Sequence, residues 1–119
     1  MTSRWRVEFF EDATGCPVRK FLDSLDRERR AKVLAIIGLL EETGPALPFP
    51  YSSQVGGRLR ELRAHYGNDQ YRVLYFGDPE RRFVLLHAFG KQTENLARRD
   101  IEIAKARMET TLRRHNEEA

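Results

Sequence analysis

Apolar and polar positions repeat with two different periods along this chain, and the periods divide it into elements. From Arg4 to Phe10, Trp5, Val7 and Phe9 fall on one side and Arg4, Arg6 and Glu8 on the other, the alternation of a half-buried strand. Gly15 breaks the run, and Pro17 suits a first helical turn. Val18, Phe21, Leu22 and Leu25 then recur at helical spacing. Asp26 is placed to cap a second helix with a stripe of Val33, Ile36, Ile37 and Leu40, and Thr43-Gly44-Pro45 is its stop signal. Two such helices predict an antiparallel hairpin packed on a sheet.

Residues 45–57 carry Pro45, Pro48, Pro50, Gly56 and Gly57 and read as a loop. Three strand-like runs follow: Leu59-Arg60-Glu61-Leu62-Arg63, then Tyr71 to Phe76, then Phe83 to Lys91. Turns across His65–Gln70 and at Gly77-Asp78-Pro79-Glu80 join them into a three-stranded antiparallel meander. From about Asn95 to His115 the helical period returns, with Ala97, Ile101, Ala104, Met108 and Leu112 on one face. The order β-α-α-β-β-β-α predicts an α+β fold: a small, antiparallel-rich twisted sheet with an N-terminal helical hairpin and a C-terminal helix. At 119 residues the chain suits one domain, 1–119, and a hydrophobic content of 40% is enough for one core.

The three central runs each hold a cation inside or at the end of an apolar pattern. Cations on neighbouring strands make a site for an anion, and the preference for Arg favours phosphate, whose oxygens match the guanidinium fork. Alternation sets Arg72 beside Leu74 and Phe76, and sets Phe83, Leu85, His87, Phe89 and Lys91 on one face. Arg72 and Lys91 converge if the register brings them together. Arg63 ends the first run, with Arg58 and Arg60 before it. Each has a plainer reading. Arg72 can pair with Glu61 on the next strand. Arg58, Arg60 and Arg63 can protect a sheet edge. His87 can be a hydrogen-bonded core residue, and Tyr66 can stack on a base or simply pack.

Charge sharpens the picture slightly. Residues 1–50 hold 8 Lys/Arg and 8 Asp/Glu, and residues 51–119 hold 13 and 10, so the second half supplies the whole net charge of +3. That half suits a polyanionic partner, nucleic acid first, although an Arg-rich solvated surface accounts for it equally well. Cys16 is the only cysteine, which rules out an internal disulfide and fits a reducing cytosol. Neither a signal peptide nor a run of roughly 20 apolar residues is present, so a cytoplasmic protein is expected. His65, His87 and His115 lack metal-ligand spacing, and Gly56-Gly57 stands without the rest of a phosphate loop. No cofactor is expected. Phosphoryl chemistry here would rest on cations and on a nucleophile supplied by the substrate, which RNA provides as its 2′-OH.

From Leu59 to Ala104 the chain resembles the RelE/ParE superfamily of toxins, in its HigB-like, phage-related branch. The likeness rests on Leu59-Arg60-Glu61-Leu62-Arg63, Tyr71-Arg72-Val73, His87-Ala88-Phe89-Gly90-Lys91 and Asp100-Ile101-Glu102-Ile103-Ala104, in that order, with Phe21–Leu25 suiting the first helix. The resemblance implies the toxin of a type II toxin–antitoxin pair, an endoribonuclease that enters the ribosome and cuts mRNA. It also implies a helix-turn-helix antitoxin as partner, able to carry the pair onto operator DNA. Carried over, Arg63, Arg72 and Lys91 hold the scissile phosphate, and His87 or Tyr66 serves proton transfer or base stacking. Arg58, Arg60, Tyr66 and Gln92 then contact RNA. Two departures matter: Gln92 stands where the branch has a second Lys, and Leu96-Ala97 where it has Thr-Pro. A shared fold does not fix function. A ParE-like gyrase inhibitor and an inactive nucleic-acid or partner-binding domain are the alternatives.

Overall fold

The computed structural model describes residues 5–78, 80–91 and 96–118. The elements run β1 (Arg6–Phe9), α1 (Pro17–Ser24), α2 (Arg27–Thr43), a 3-10 turn (Gly44–Ala46), β2 (Ser52–Gly56), β3 (Leu59–Tyr66), β4 (Asp69–Asp78), β5 (Arg82–Lys91) and α3 (Arg98–Glu118). The five strands form one sheet in the order β1-β5-β4-β3-β2. β1 lies parallel to β5, and every other pairing is antiparallel. The expected α+β class holds, with one strand more than the sequence pattern indicates.

That extra strand corrects the reading of residues 45–57 as loop throughout. Ser52-Ser53-Gln54-Val55-Gly56 has no apolar alternation to announce a strand, yet it pairs with β3. The partner strand supplies what local propensity lacks, and the pairing shifts register between Gln54 and Gly56, as edge strands often do.

The helical boundaries follow their local chemistry. Pro17 opens α1, where a missing N–H is no loss. The Asp26 carboxylate accepts the Arg29 backbone N–H at 2.9 Å and caps α2. Arg30 closes the other end of α1 by donating to the Leu22 and Leu25 carbonyls at 2.9 and 2.8 Å. Gly44, at φ 67, ends α2 with the Trp5 ring against it, so a β-carbon there would strike the indole.

Two apolar layers cover the two faces of the sheet. The helical hairpin packs Val18, Leu22, Val33, Ile37 and Leu40 on Leu62, Ala64, Tyr71, Val73, Tyr75, Phe83 and Leu85. α3 lays Ile101, Ala104, Met108 and Leu112 over Leu59, Leu74, Phe76, Val84 and Leu86.

β5 does not keep a single alternation. Leu74 faces His87 and Tyr75 faces Leu85, which leaves Leu86 as an extra residue. The bulge sends Phe83 and Leu85 to the hairpin layer, and Leu86, His87 and Phe89 to the α3 layer. The expectation that Phe83, Leu85, His87, Phe89 and Lys91 share one face is therefore corrected: the first two part company with the rest.

Candidate functional site

The register of β3, β4 and β5 decides which cations meet. Arg63 lies directly opposite Arg72, Arg72 opposite Phe89, and Gln70 opposite Lys91. Arg63, Arg72 and Lys91 thus occupy adjacent strands, with Lys91 diagonal to Arg72, a spacing of about 7–8 Å in an antiparallel pair.

Two guanidinium groups at directly paired positions repel, so a counter-charge is required. Glu61 provides it. Its Oε1 lies 3.6 Å from Arg72 Nε and 4.0 Å from Arg63 Nε, and accepts a hydrogen bond from the Ser53 hydroxyl at 3.0 Å. Oε2 of the same carboxylate is buried and has no hydrogen-bond partner among the described residues. Arg72 is 2% exposed and is further oriented by the Tyr71 carbonyl at 3.0 Å and by Gln70 Oε1 at 3.3 Å. Arg63 is more open, and its guanidinium lies 5.1 Å from the centre of the Phe49 ring. Both arginines line a cavity of about 480 Å³ beside α2, together with Lys32, Tyr51, His65 and Gln70.

Arg63 and Arg72 share the Glu61 carboxylate, and Lys91 stands diagonal to Arg72 on β5. Such a cluster can bind a dianionic or developing anionic group more strongly than in water, because the local dielectric is low. Among the described residues no three His, Cys, Asp or Glu side chains come together as metal ligands.

The other candidates lie elsewhere. Arg60 faces the helical layer and donates to the Ser52 hydroxyl at 3.2 and 3.0 Å, next to the buried Ser52–Tyr75 hydrogen bond. Arg58 stands at the opposite end of β3, bonded to the Gly77 carbonyl and packed 5.4 Å from the Phe76 ring centre. Tyr66 packs on the hairpin layer under Arg29, whose guanidinium carbon is 4.8 Å from the ring centre and which also bonds Asp69 and Asp26. Gln92 lies outside the described residues.

His87 is engaged with α3. Nε2 pairs with Asp100 at 2.7 Å, and Nδ1 lies 3.3 Å from Arg107, which also donates to the Leu86 carbonyl at 2.8 Å. These partners define a neutral imidazole with its proton on Nε2, and the ring stacks on Phe89. Burial holds its pKa below the ordinary 6.5; the Asp100 hydrogen bond opposes that shift and the Arg107 charge reinforces it. The bulge at Leu86 turns His87 toward α3, and His87 in turn pins the first turn of that helix. Sequence reasoning had no means to see this pairing, since Asp100 is thirteen residues away. Glu61 was visible only as an ion-pair partner, and Ser53, Gln70 and Tyr51 gave no signal.

The family model described as "Phage derived protein Gp49-like" matches residues 20–109, and the chain belongs to that family. A Mycobacterium tuberculosis protein named "Putative toxin HigB2" is 38% identical over 79 residues, which make up 62% of this chain and 39% of that protein. The chain therefore spans about two fifths of that relative's length. The crystal structure of an archaeal RelE–RelB complex from Pyrococcus horikoshii contains a chain 25% identical, with coverage of 74% of this chain and 93% of that one and a TM-score of 0.47.

Proposed function

We propose that this protein is the toxin of a type II toxin–antitoxin pair and acts in the cytoplasm as a ribosome-dependent mRNA endoribonuclease. The observation that carries the reading is the direct pairing of Arg63 with Arg72 around Glu61. A fold that needed only a core would not set two guanidinium groups opposite each other in a buried corner. A phosphate does need them there.

In this reading Arg63, Arg72 and Lys91 hold the scissile phosphate and offset the charge that grows on its oxygens. Glu61, the carboxylate beside both arginines, accepts the proton of the 2′-OH. The 2′-oxygen bonds to phosphorus, the bond to the 5′-oxygen breaks, and the leaving oxygen takes a proton from solvent. The products are a 2′,3′-cyclic phosphate on the upstream fragment and a 5′-OH downstream. The protein cations supply the stabilising charge, with no metal in the step. His87 acts through α3 rather than on the substrate. The name of the mycobacterial relative and family membership support the toxin role, and a small helix-turn-helix antitoxin is the partner that role requires.

Controlled expression in a bacterium, beside the Arg72→Ala/Lys91→Ala double variant, tests the proposal. Primer extension on a translated reporter mRNA is expected to give discrete cuts and early loss of translation, both absent in the variant. Arrest with DNA damage and intact mRNA would transfer the reading to a gyrase inhibitor. No arrest would leave an inactive binding domain.

A further inference from the structure

The cavity that receives Arg63 and Arg72 extends beyond the phosphate cluster. Its remaining wall is formed by Ala35 and Ile36 of α2 with Pro50 and Tyr51 of the segment entering β2. A volume of about 480 Å³ lies within the range of roughly 300–1,000 Å³ that small-ligand sites occupy. Its charged lining is Lys32, Arg63 and Arg72, with the Glu61 carboxylate behind the two arginines. The site is thus half cationic and half apolar, the division a nucleotide has between phosphate and base.

One aromatic residue, Tyr51, lines the cavity, and a second, Phe49, lies against its Arg63. Tyr51 is 43% exposed and Phe49 68%, and the described chain has one other exposed large apolar side chain, Leu34. A single exposed aromatic is ordinary. Here two flank Pro50 beside a phosphate-ready arginine. The Tyr51 carbonyl accepts the Arg63 N–H at 2.9 Å, and its own N–H donates to the Pro48 carbonyl at 3.0 Å, so the tyrosine backbone is tied to that arginine. The Arg63–Phe49 contact adds a second flat surface.

We propose that this cavity binds the nucleotide adjoining the scissile phosphate of single-stranded RNA, with its base stacked on Tyr51 and the Phe49–Arg63 pair forming the lip. The inference rests on the nuclease reading above and adds a base-recognition element to it. Stacking uses the ring face and not the phenolic hydroxyl, so it tolerates Phe at position 51 and fails with Ala. Base stacking of this role, expected on Tyr66 from the sequence, passes to a residue on the other side of β3, because Tyr66 is covered by Arg29. A protein segment inserting an apolar side chain is the competing occupant. The three cations of the lining, Lys32, Arg63 and Arg72, favour the nucleotide.

The test uses the purified protein in a reconstituted translation system with reporter mRNAs that vary one base at a time around the cut. Tyr51→Ala is expected to lower the cleavage rate at subsaturating mRNA about tenfold and to flatten the base preference at one position beside the cut. Ala35→Trp, at an exposed helical position, fills the cavity and is expected to do the same, while Tyr51→Phe behaves as wild type. Unchanged rate and base preference in both Tyr51→Ala and Ala35→Trp would overturn the base site and leave the nuclease reading standing. Absence of cuts by the wild-type protein would sink the nuclease reading, and the base site with it.

Discussion

At the scale of single residues, the account turns on Glu61. A carboxylate 10% exposed, set between two guanidinium groups, is an expensive arrangement if it serves packing alone. Glu61→Gln keeps shape and the Ser53 hydrogen bond but removes the base. It is expected to lower the cleavage rate by about 10²–10⁴-fold while the protein remains folded, as judged by its thermal transition. A loss of less than about tenfold would remove Glu61 from the chemistry. Arg63 and Arg72 were legible in the sequence because each interrupts an apolar strand pattern, which packing does not call for. Arg58 and Arg60 show the same interruption and yet lie off the cluster: Arg60 points to the other face of β3, and Arg58 lies at the far end of that strand on Phe76. Glu61 as more than a partner could not be read, because the decision lies in the cross-strand register.

At the scale of elements, two local devices set the geometry. The first is the Asp26 cap, which with Arg29 ties the start of α2 to Asp69 at the β3–β4 turn, through Arg29 Nε at 2.8 Å. Asp26→Ala is expected to lower the midpoint of thermal or chemical denaturation, with cleavage little changed. The second device is the bulge at Leu86, which delivers His87 to Asp100 and Arg107 on α3. Because burial lowers the folded-state pKa of His87 below 6.5, the unfolded chain binds the proton first as pH falls. The stability this residue contributes is full above about pH 6.5 and declines below it. His87→Gln is expected to flatten that part of the stability-against-pH curve, measured by urea denaturation at several pH values. Equal slopes in both proteins would count against it. The cap was legible from Asp26 and the helical stripe that follows. β2 and the bulge were not, because each is imposed by the neighbouring strand and neither leaves a periodic trace.

At the scale of the whole molecule, the hairpin layer and α3 bury the two faces of one sheet, and the cation cluster sits beyond the apolar stretch that α3 covers. The fold class and the order of nearly all elements were present in the alternation of apolar positions. No helix among the described residues is long and apolar enough to cross a membrane. The central claim, that Arg63, Arg72, Lys91 and Glu61 cut RNA at a phosphate, is tested most directly by end-group analysis. An mRNA translated in a purified ribosomal system with this protein is expected to yield upstream fragments ending in 2′,3′-cyclic phosphate and downstream fragments with 5′-OH. Arg72→Ala should abolish both. Fragments carrying 5′-phosphate, or cuts that persist at full rate in Arg72→Ala, would contradict the account.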